Sequence, residues 1–228
     1  HHPGPLMAGQ ELFDAVAVSA ELAPDPRIPR LIEWAATFAA MGLTPSYGPG
    51  DHGNMSCRTA GGLLITARAT RKAQLRAQDF VEVTGVASQG PRVQVRCRWK
   101  RPHVQIRCRG VQQPSTDTLL HLRLYTARPE IGAILHGHDP ATLEQAAALG
   151  LPMTAHSALT PSMDVLEEAC ALGRDHDYLL LRDHGFLSLG RTVDEAAALA
   201  VSWAGRVRAG GPAGRAGGFS RQVPPGGV

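Results

Sequence analysis

Ile134-Leu135-His136-Gly137-His138 leads an apolar, strand-like run into two histidines at i and i+2. Alternate residues of a strand project to the same side. Two imidazoles so placed can reach one ion at the ~2.0–2.1 Å of a zinc–nitrogen bond, and the intervening glycine adds no bulk. His184 stands in a similar place, after the apolar run 178–181 and before Gly185. Each of the three marks a boundary between buried and polar chain. Three neutral imidazoles leave a divalent cation its full charge and open positions, the arrangement of a Lewis-acid catalyst. Hydrogen-bonded structural histidines satisfy the same spacing, so the histidines alone leave both readings open. Asp117 lies in a polar turn ahead of an apolar helix, where a helix cap is ordinary.

The elements that must carry these residues follow from periodicity. Leu31, Trp34, Ala35, Phe38 and Met41 fall at helical spacing before Gly42, predicting an amphipathic helix over 31–41. Residues 54–58 and 62–66 read as short strands joined by Thr59-Ala60-Gly61, and 80–84 as a third. Residues 93–99 and 104–109 alternate apolar and polar around Lys100-Arg101-Pro102-His103, predicting a hairpin with one buried face. A helix over 116–127 is expected to start from a Ser115 or Thr116 cap. Beyond it come a strand at 133–135, helices at 142–149 and 165–172, strands at 178–181 and 186–189, and a helix at 193–207 opened by Thr192. The loops 45–53 and 151–161, rich in Gly, Pro and small residues, are expected to form a site rim. His52 and His156 lie in them.

A chain of 228 residues with 43% hydrophobic residues suits one compact α/β domain, expected over 8–208. His1-His2-Pro3-Gly4-Pro5-Leu6-Met7 reads as a tag remnant, and 209–228, crowded with Gly, Pro and Arg, as a flexible tail. A net charge of +3 with scattered arginines argues against nucleic acid as the main partner. The sequence contains no apolar run near the ~20 residues that span a bilayer, and no secretion signal follows Met7, so no membrane partner and a cytoplasmic location are expected. Cys57, Cys97, Cys108 and Cys170 form no C-x-x-C pair and read as reduced, buried thiols.

Six motifs occur in order across residues 30–205: Gly53-Asn54-Met55-Ser56-Cys57-Arg58, Leu64-Ile65-Thr66, Pro114-Ser115-Thr116-Asp117 with His121, Ile134 to His138, Asp183-His184-Gly185, and Gly190 to Ala196. In this order the chain resembles the class II aldolase/adducin family, fuculose-phosphate aldolase and ribulose-phosphate 4-epimerase among its members. The resemblance implies a single three-layer α/β/α domain around a mainly antiparallel central sheet. It further implies a homotetramer with sites at subunit interfaces, and a divalent metal on His136, His138 and His184, zinc first, with manganese, cobalt or iron as alternatives. The implied activity is an aldolase-type lyase, making or breaking a carbon–carbon bond in a small hydroxy-ketone, sugar phosphate or hydroxy acid through a metal-stabilised enediolate. The alternatives are 4-epimerisation or dehydration of a sugar phosphate, iron-dependent oxidative decarboxylation, and a non-catalytic adducin-like module. Asp117 falls where the family's acid/base carboxylate lies, a glutamate in most aldolases. Asn54, Ser56, Thr66, Ser115 and Thr116 fall where family members bind the substrate's phosphate. One turn departs from the pattern: Thr66-Ala67-Arg68-Ala69-Thr70 lacks the glycine of a Thr-Pro-Ser-Gly turn, and Arg68 is its candidate replacement contact.

Overall fold

A computed structural model describes residues 12–87 and 104–210. The order along the chain is β1 (Phe13–Ser19), α1 (Ile28–Ala40), β2 (Asn54–Arg58), β3 (Leu63–Thr66), β4 (Phe80–Ala87), β5 (Val104–Arg109), α2 (Thr118–Ala127), β6 (Ala133–Gly137), α3 (Pro140–Leu149), α4 (Met163–Asp175), β7 (Tyr178–Leu181), β8 (Gly185–Gly190) and α5 (Val193–Ala209). The strands form one sheet in the order β1-β5-β4-β3-β2-β6-β8-β7. Every named pair is antiparallel except β1 with β5, so the sheet is mixed, antiparallel over seven strands with one parallel edge.

Alternation along the strands separates two cores. Met55, Cys57, Leu135, Leu180 and Phe186 face the helices α1, α3 and α5, while Ile65, Ile134, Leu179, Leu181 and Leu187 face α2 and α4. Neighbouring residues of one strand thus feed opposite cores, which makes three layers. Leu31, Ala35 and Phe38 form the buried stripe of α1, and Gly42 at φ +74° ends it. Ser162 and Thr192 cap α4 and α5, accepting from Val165 N and Glu195 N, and Gly150 at φ +65° closes α3.

Three expectations change. Neither Ser115 nor Thr116 caps α2: the helix starts at Thr118, and Asp117 holds the cap position without capping with its side chain. β1 has no counterpart in the periodicity reading, because only Phe13 of its seven residues is buried and Val16 and Val18 stay exposed. Finally, β5 spends both edges on β4 and β1, so residues 104–109 are not one arm of the expected hairpin. Residues 93–99, like the tag remnant 1–7 and the tail from 211, lie outside the described residues. Cys57 and Cys108 are buried free thiols and Cys170 is half-buried; Cys97 is not described. Among the described residues no helix is long and apolar enough to cross a membrane.

Candidate metal centre and active site

Strand β6 delivers the first two histidines at its end. His136 is the penultimate strand residue and shares the face of Ile134, toward α2 and α4; His138 follows the strand. His184 comes from the tight β7–β8 connection, where Asp183 takes φ +60°, a left-handed conformation that Asp tolerates better than most residues. The three ligand atoms lie within 4.8 Å of one another. Gly137 is needed for a reason other than the histidines' own bulk. A Cβ there would sit 2.6 Å from Cζ of Phe186 and 2.8 Å from the Leu43 carbonyl oxygen, on the side away from the rings. We expect Gly137→Ala to cost about 2 kcal/mol by overpacking and to lower Tm by roughly 4–8 °C in a thermal melt.

Hydrogen bonds fix the tautomers. His136 Nδ1 is 2.7 Å from the Phe186 carbonyl oxygen and His184 Nδ1 is 3.0 Å from that of Ala158. A carbonyl only accepts, so both Nδ1 atoms carry a proton, and in the neutral form of each ring Nε2 presents a bare lone pair. Those two Nε2 atoms are 3.2 Å apart. Facing lone pairs at that distance repel unless a cation lies between them. Two nitrogens of a tetrahedral zinc site stand about 3.3 Å apart, given bonds of 2.0–2.1 Å. The donor set therefore fits a divalent ion, and the carbonyl bonds are the outer support that orients metal-binding imidazoles. Burial drives the His136 ring down to about 4 against the opposing pull of Asp117, and His138 down to about 2 with help from His136 and His184. Both rings are neutral at neutral pH, the state a metal requires.

Asp117 reaches the same point from the other layer. Asn54 is the cross-strand partner of His136 and so shares its face; its Nδ2 donates to Asp117 Oδ2 at 2.7 Å. Asp117 Oδ2 then lies 3.7 Å from His136 Nε2. Burial pushes its carboxyl up, but the surrounding His136, His184 and His121 and the Asn54 bond outweigh that, and the net shift is downward. A carboxylate is thus held beside the ligand nitrogens.

A cavity of about 620 Å³ opens over these groups, within the size range of small-molecule sites. Asn54, Arg68, Ser115 and Thr116 line it, as do residues of both predicted rim loops, including Tyr47, His52, Leu159 and Thr160. Ser56 and Thr66, expected at the phosphate, do not. Ser56 Oγ is engaged behind the site with His121 and Tyr125, and Thr66 Oγ1 accepts from Met55 N. Arg68 is held by Nε donation to the Pro114 carbonyl at 2.7 Å and lies over the Phe13 ring. Ala69 takes φ +54°, a left-handed conformation that favours glycine, where the expected turn has one. Of the two loop histidines, His52 stacks on His138 at 4.3 Å, whereas His156 pairs with Glu168 at the surface and does not line the cavity.

Pattern reading does not single out Lys72. Only 2% exposed, it reaches the cavity wall, and burial lowers its ammonium to about 8. Its Nζ donates to the Thr70 hydroxyl and to the carbonyls of Thr70 and Asp51, while the Asp51 carboxylate accepts from Ser46 Oγ, Arg71 and Lys72 N. This knot ties the loop carrying His52 to the turn carrying Arg68. A lysine in a polar loop gives no periodic signal of burial, which is why its place in the wall shows only in the fold.

Comparison with known proteins agrees with this geometry. The sequence profile of the Class II Aldolase and Adducin N-terminal domain matches residues 30–206. The chain is 28% identical over 187 residues to the 5-methylthioribulose-1-phosphate/5-deoxyribulose-1-phosphate aldolase of Rhodospirillum rubrum, covering 75% of this chain and 74% of that one. It is 35% identical over 95 residues to the methylthioribulose-1-phosphate dehydratase of Gluconacetobacter diazotrophicus, covering 41% and 38%. Its fold is shared with the l-fuculose-1-phosphate aldolase of Thermus thermophilus, at TM-score 0.61 and 20% identity over 79% of this chain and 90% of that one. With the profile matching most of its length and its relatives named as aldolase and dehydratase, the protein belongs to the class II aldolase and adducin N-terminal domain family, as an enzyme of the lyase type.

Proposed function

We propose that the protein is a divalent-metal-dependent lyase acting on a ketose 1-phosphate with an apolar far end, cleaving the bond between C3 and C4. The observation that carries this reading is the pair of bare Nε2 atoms, 3.2 Å apart, with the Asp117 carboxylate 3.7 Å from one of them. His136, His138 and His184 would hold the ion, zinc by preference for an all-nitrogen set. Bound there, a divalent ion supplies a Lewis acid for the negative charge that develops on the substrate's carbonyl oxygen. Asp117 takes the proton of the C4 hydroxyl as the C3–C4 bond breaks, the bonding electrons stay on C3, and the C4–C5 fragment leaves as an aldehyde. A proton added at C3 then completes dihydroxyacetone phosphate. Asn54 keeps one carboxylate oxygen oriented through its Nδ2.

The cavity lining combines two kinds of side chain. Asn54, Arg68, Ser115 and Thr116 offer amide, guanidinium and hydroxyl donors for a phosphate. Leu119, Leu120, Leu159, Val165 and Leu166 line the same cavity. An apolar wall suits a 5-deoxy or 5-methylthio end, since a 5-hydroxyl there would lose its water without gaining a partner. The names of the two curated relatives support the same substrate class. The dehydratase relative supports a second reading, in which Asp117 removes the C3 proton and water leaves from C4.

Product analysis separates the readings. Zinc-loaded protein given 5-methylthioribulose 1-phosphate is expected to release dihydroxyacetone phosphate and an aldehyde, and to stop when the metal is chelated. A 2,3-diketone phosphate without chain cleavage would select dehydration, and no turnover of either 5-substituted substrate would sink both. A homotetramer, with rim residues from a neighbouring subunit, and a cytoplasmic setting belong to this proposal.

A further inference from the structure

The Asn54–Asp117 bond is the first rung of a ladder between β2 and α2. Ser56 Oγ lies 2.7 Å from His121 Nδ1 and 2.8 Å from Tyr125 OH, and Arg58 donates to the Tyr125 carbonyl at 2.8 Å with its guanidinium over the ring. Asn54, Ser56 and Arg58 are alternate residues of a strand; Asp117, His121 and Tyr125 are spaced by four along a helix. Two strand residues rise about 6.6 Å and four helical residues about 6.0 Å, so three rungs stay in register.

The middle of the ladder has a direction. His121 is fully buried, and burial lowers its ring to about 3, leaving it neutral with one N–H. If Tyr125 donates to Ser56 and Ser56 donates to His121 Nδ1, every hydrogen but the one on Nε2 finds an acceptor. In the opposite sense both the Tyr125 hydrogen and the Nε2 lone pair are left over. The first sense leaves fewer orphans, and His121 Nε2 is the ring atom without a partner among the described residues. We propose that Ser56, His121 and Tyr125 are positioning residues for Asp117: the ladder sets the start of α2 against β2, and with it the carboxylate against the metal-binding histidines. The role for Asp117 in this inference rests on the function proposed above.

The test has one arm that needs no turnover. In long-range proton–nitrogen correlation spectra of 15N-histidine-labelled protein, His121 is expected as the Nε2–H tautomer, and Ser56→Ala is expected to convert it wholly or partly to Nδ1–H. A wild-type Nδ1–H ring, or a ring unchanged in Ser56→Ala, overturns the proposal. In the kinetic arm Ser56→Ala is expected to lower kcat roughly ten- to a hundredfold through a misplaced base. KM is expected to stay within about twofold and zinc at full occupancy, because the metal ligands are carried by other elements. Tyr125→Phe, which keeps the packing, is expected to lower kcat in the same way but less, and Ser56→Thr, which keeps the hydroxyl, to restore it. Unchanged kcat in Ser56→Ala, or a loss that tracks metal content, also overturns the proposal. Wild-type protein that turns over neither 5-substituted substrate fails the function above, while the tautomer arm still decides the ladder.

Discussion

His136→Ala is expected to empty the metal centre and to lower kcat/KM roughly a thousandfold or more, since the Lewis acid supplies several kcal/mol of charge stabilisation. Zinc content measured on the purified variant, beside turnover, checks both halves. Of the three proposed ligands His136 is the one to choose. It is almost fully buried in mid-site, its Nδ1 is anchored to Phe186, and its Nε2 faces both His184 and Asp117. Free imidazole offers a partial rescue, because alanine leaves a ring-shaped space on the metal side. Full activity in a zinc-free variant would end the metal reading altogether.

Two of these histidines, together with His121, predict a pH dependence of the metal-free fold. His136, His121 and His138 have folded values of about 4, about 3 and about 2, against an ordinary value of 6.5. Below about pH 6.5 the unfolded chain takes up protons that the folded chain refuses, so folding stability falls as pH falls and keeps falling until the folded values are passed. Above 6.5 these groups contribute a constant amount. Denaturant midpoints of the metal-free protein should therefore decline steadily from pH 7 to 5, and saturating zinc should raise the midpoint most at the upper end, where protons do not compete for the rings. A flat profile over that range would show that the three rings are solvated rather than buried.

Asp117→Asn carries the second large effect. Loss of a general base costs about 10²- to 10⁴-fold in kcat, and the amide fits the same space beside Asn54. Zinc content is expected to stay at the wild-type level, because in the proposed site three imidazoles hold the ion and the carboxylate oxygen sits 3.7 Å from His136 Nε2. This separates a base from a fourth ligand. If the variant loses zinc in step with activity, Asp117 is a ligand and the proton must go elsewhere. His52, stacked on His138 at the cavity wall, would then be the next group to replace.

Most of the scaffold was legible in the sequence because it is written in short-range patterns. Helix stripes such as Leu31, Ala35 and Phe38, the cap Thr192, and the apolar runs of β6 and β7 depend on residues a few places apart. His136-Gly137-His138 and His184 were legible too, since each ends an apolar run, and the ordered motifs tied them to Asp117 and Asn54. β1 escaped because it is an edge strand with one buried side chain, and the 104–109 segment was given the wrong neighbour because alternation specifies a half-buried strand but not its partner.

What only the tertiary structure decided is which polar atoms meet. Sequence could place Ser56 and Thr66 in a substrate-binding motif, but their hydroxyls are turned to His121, Tyr125 and Met55 by strand register and helix packing. Lys72 and Asp51 stand 21 positions apart and become one knot only when two loops close on each other. The tautomers of His136 and His184 depend on carbonyls 50 and 26 residues away along the chain. The physical reason is common to all of these. Periodicity records which side of an element is buried, whereas a hydrogen bond depends on position to a few tenths of an ångström and is set by long-range packing. The sequence by itself placed three imidazoles and a carboxylate where strands and a helix end, and the fold brought their ligand atoms within a few ångström of one another.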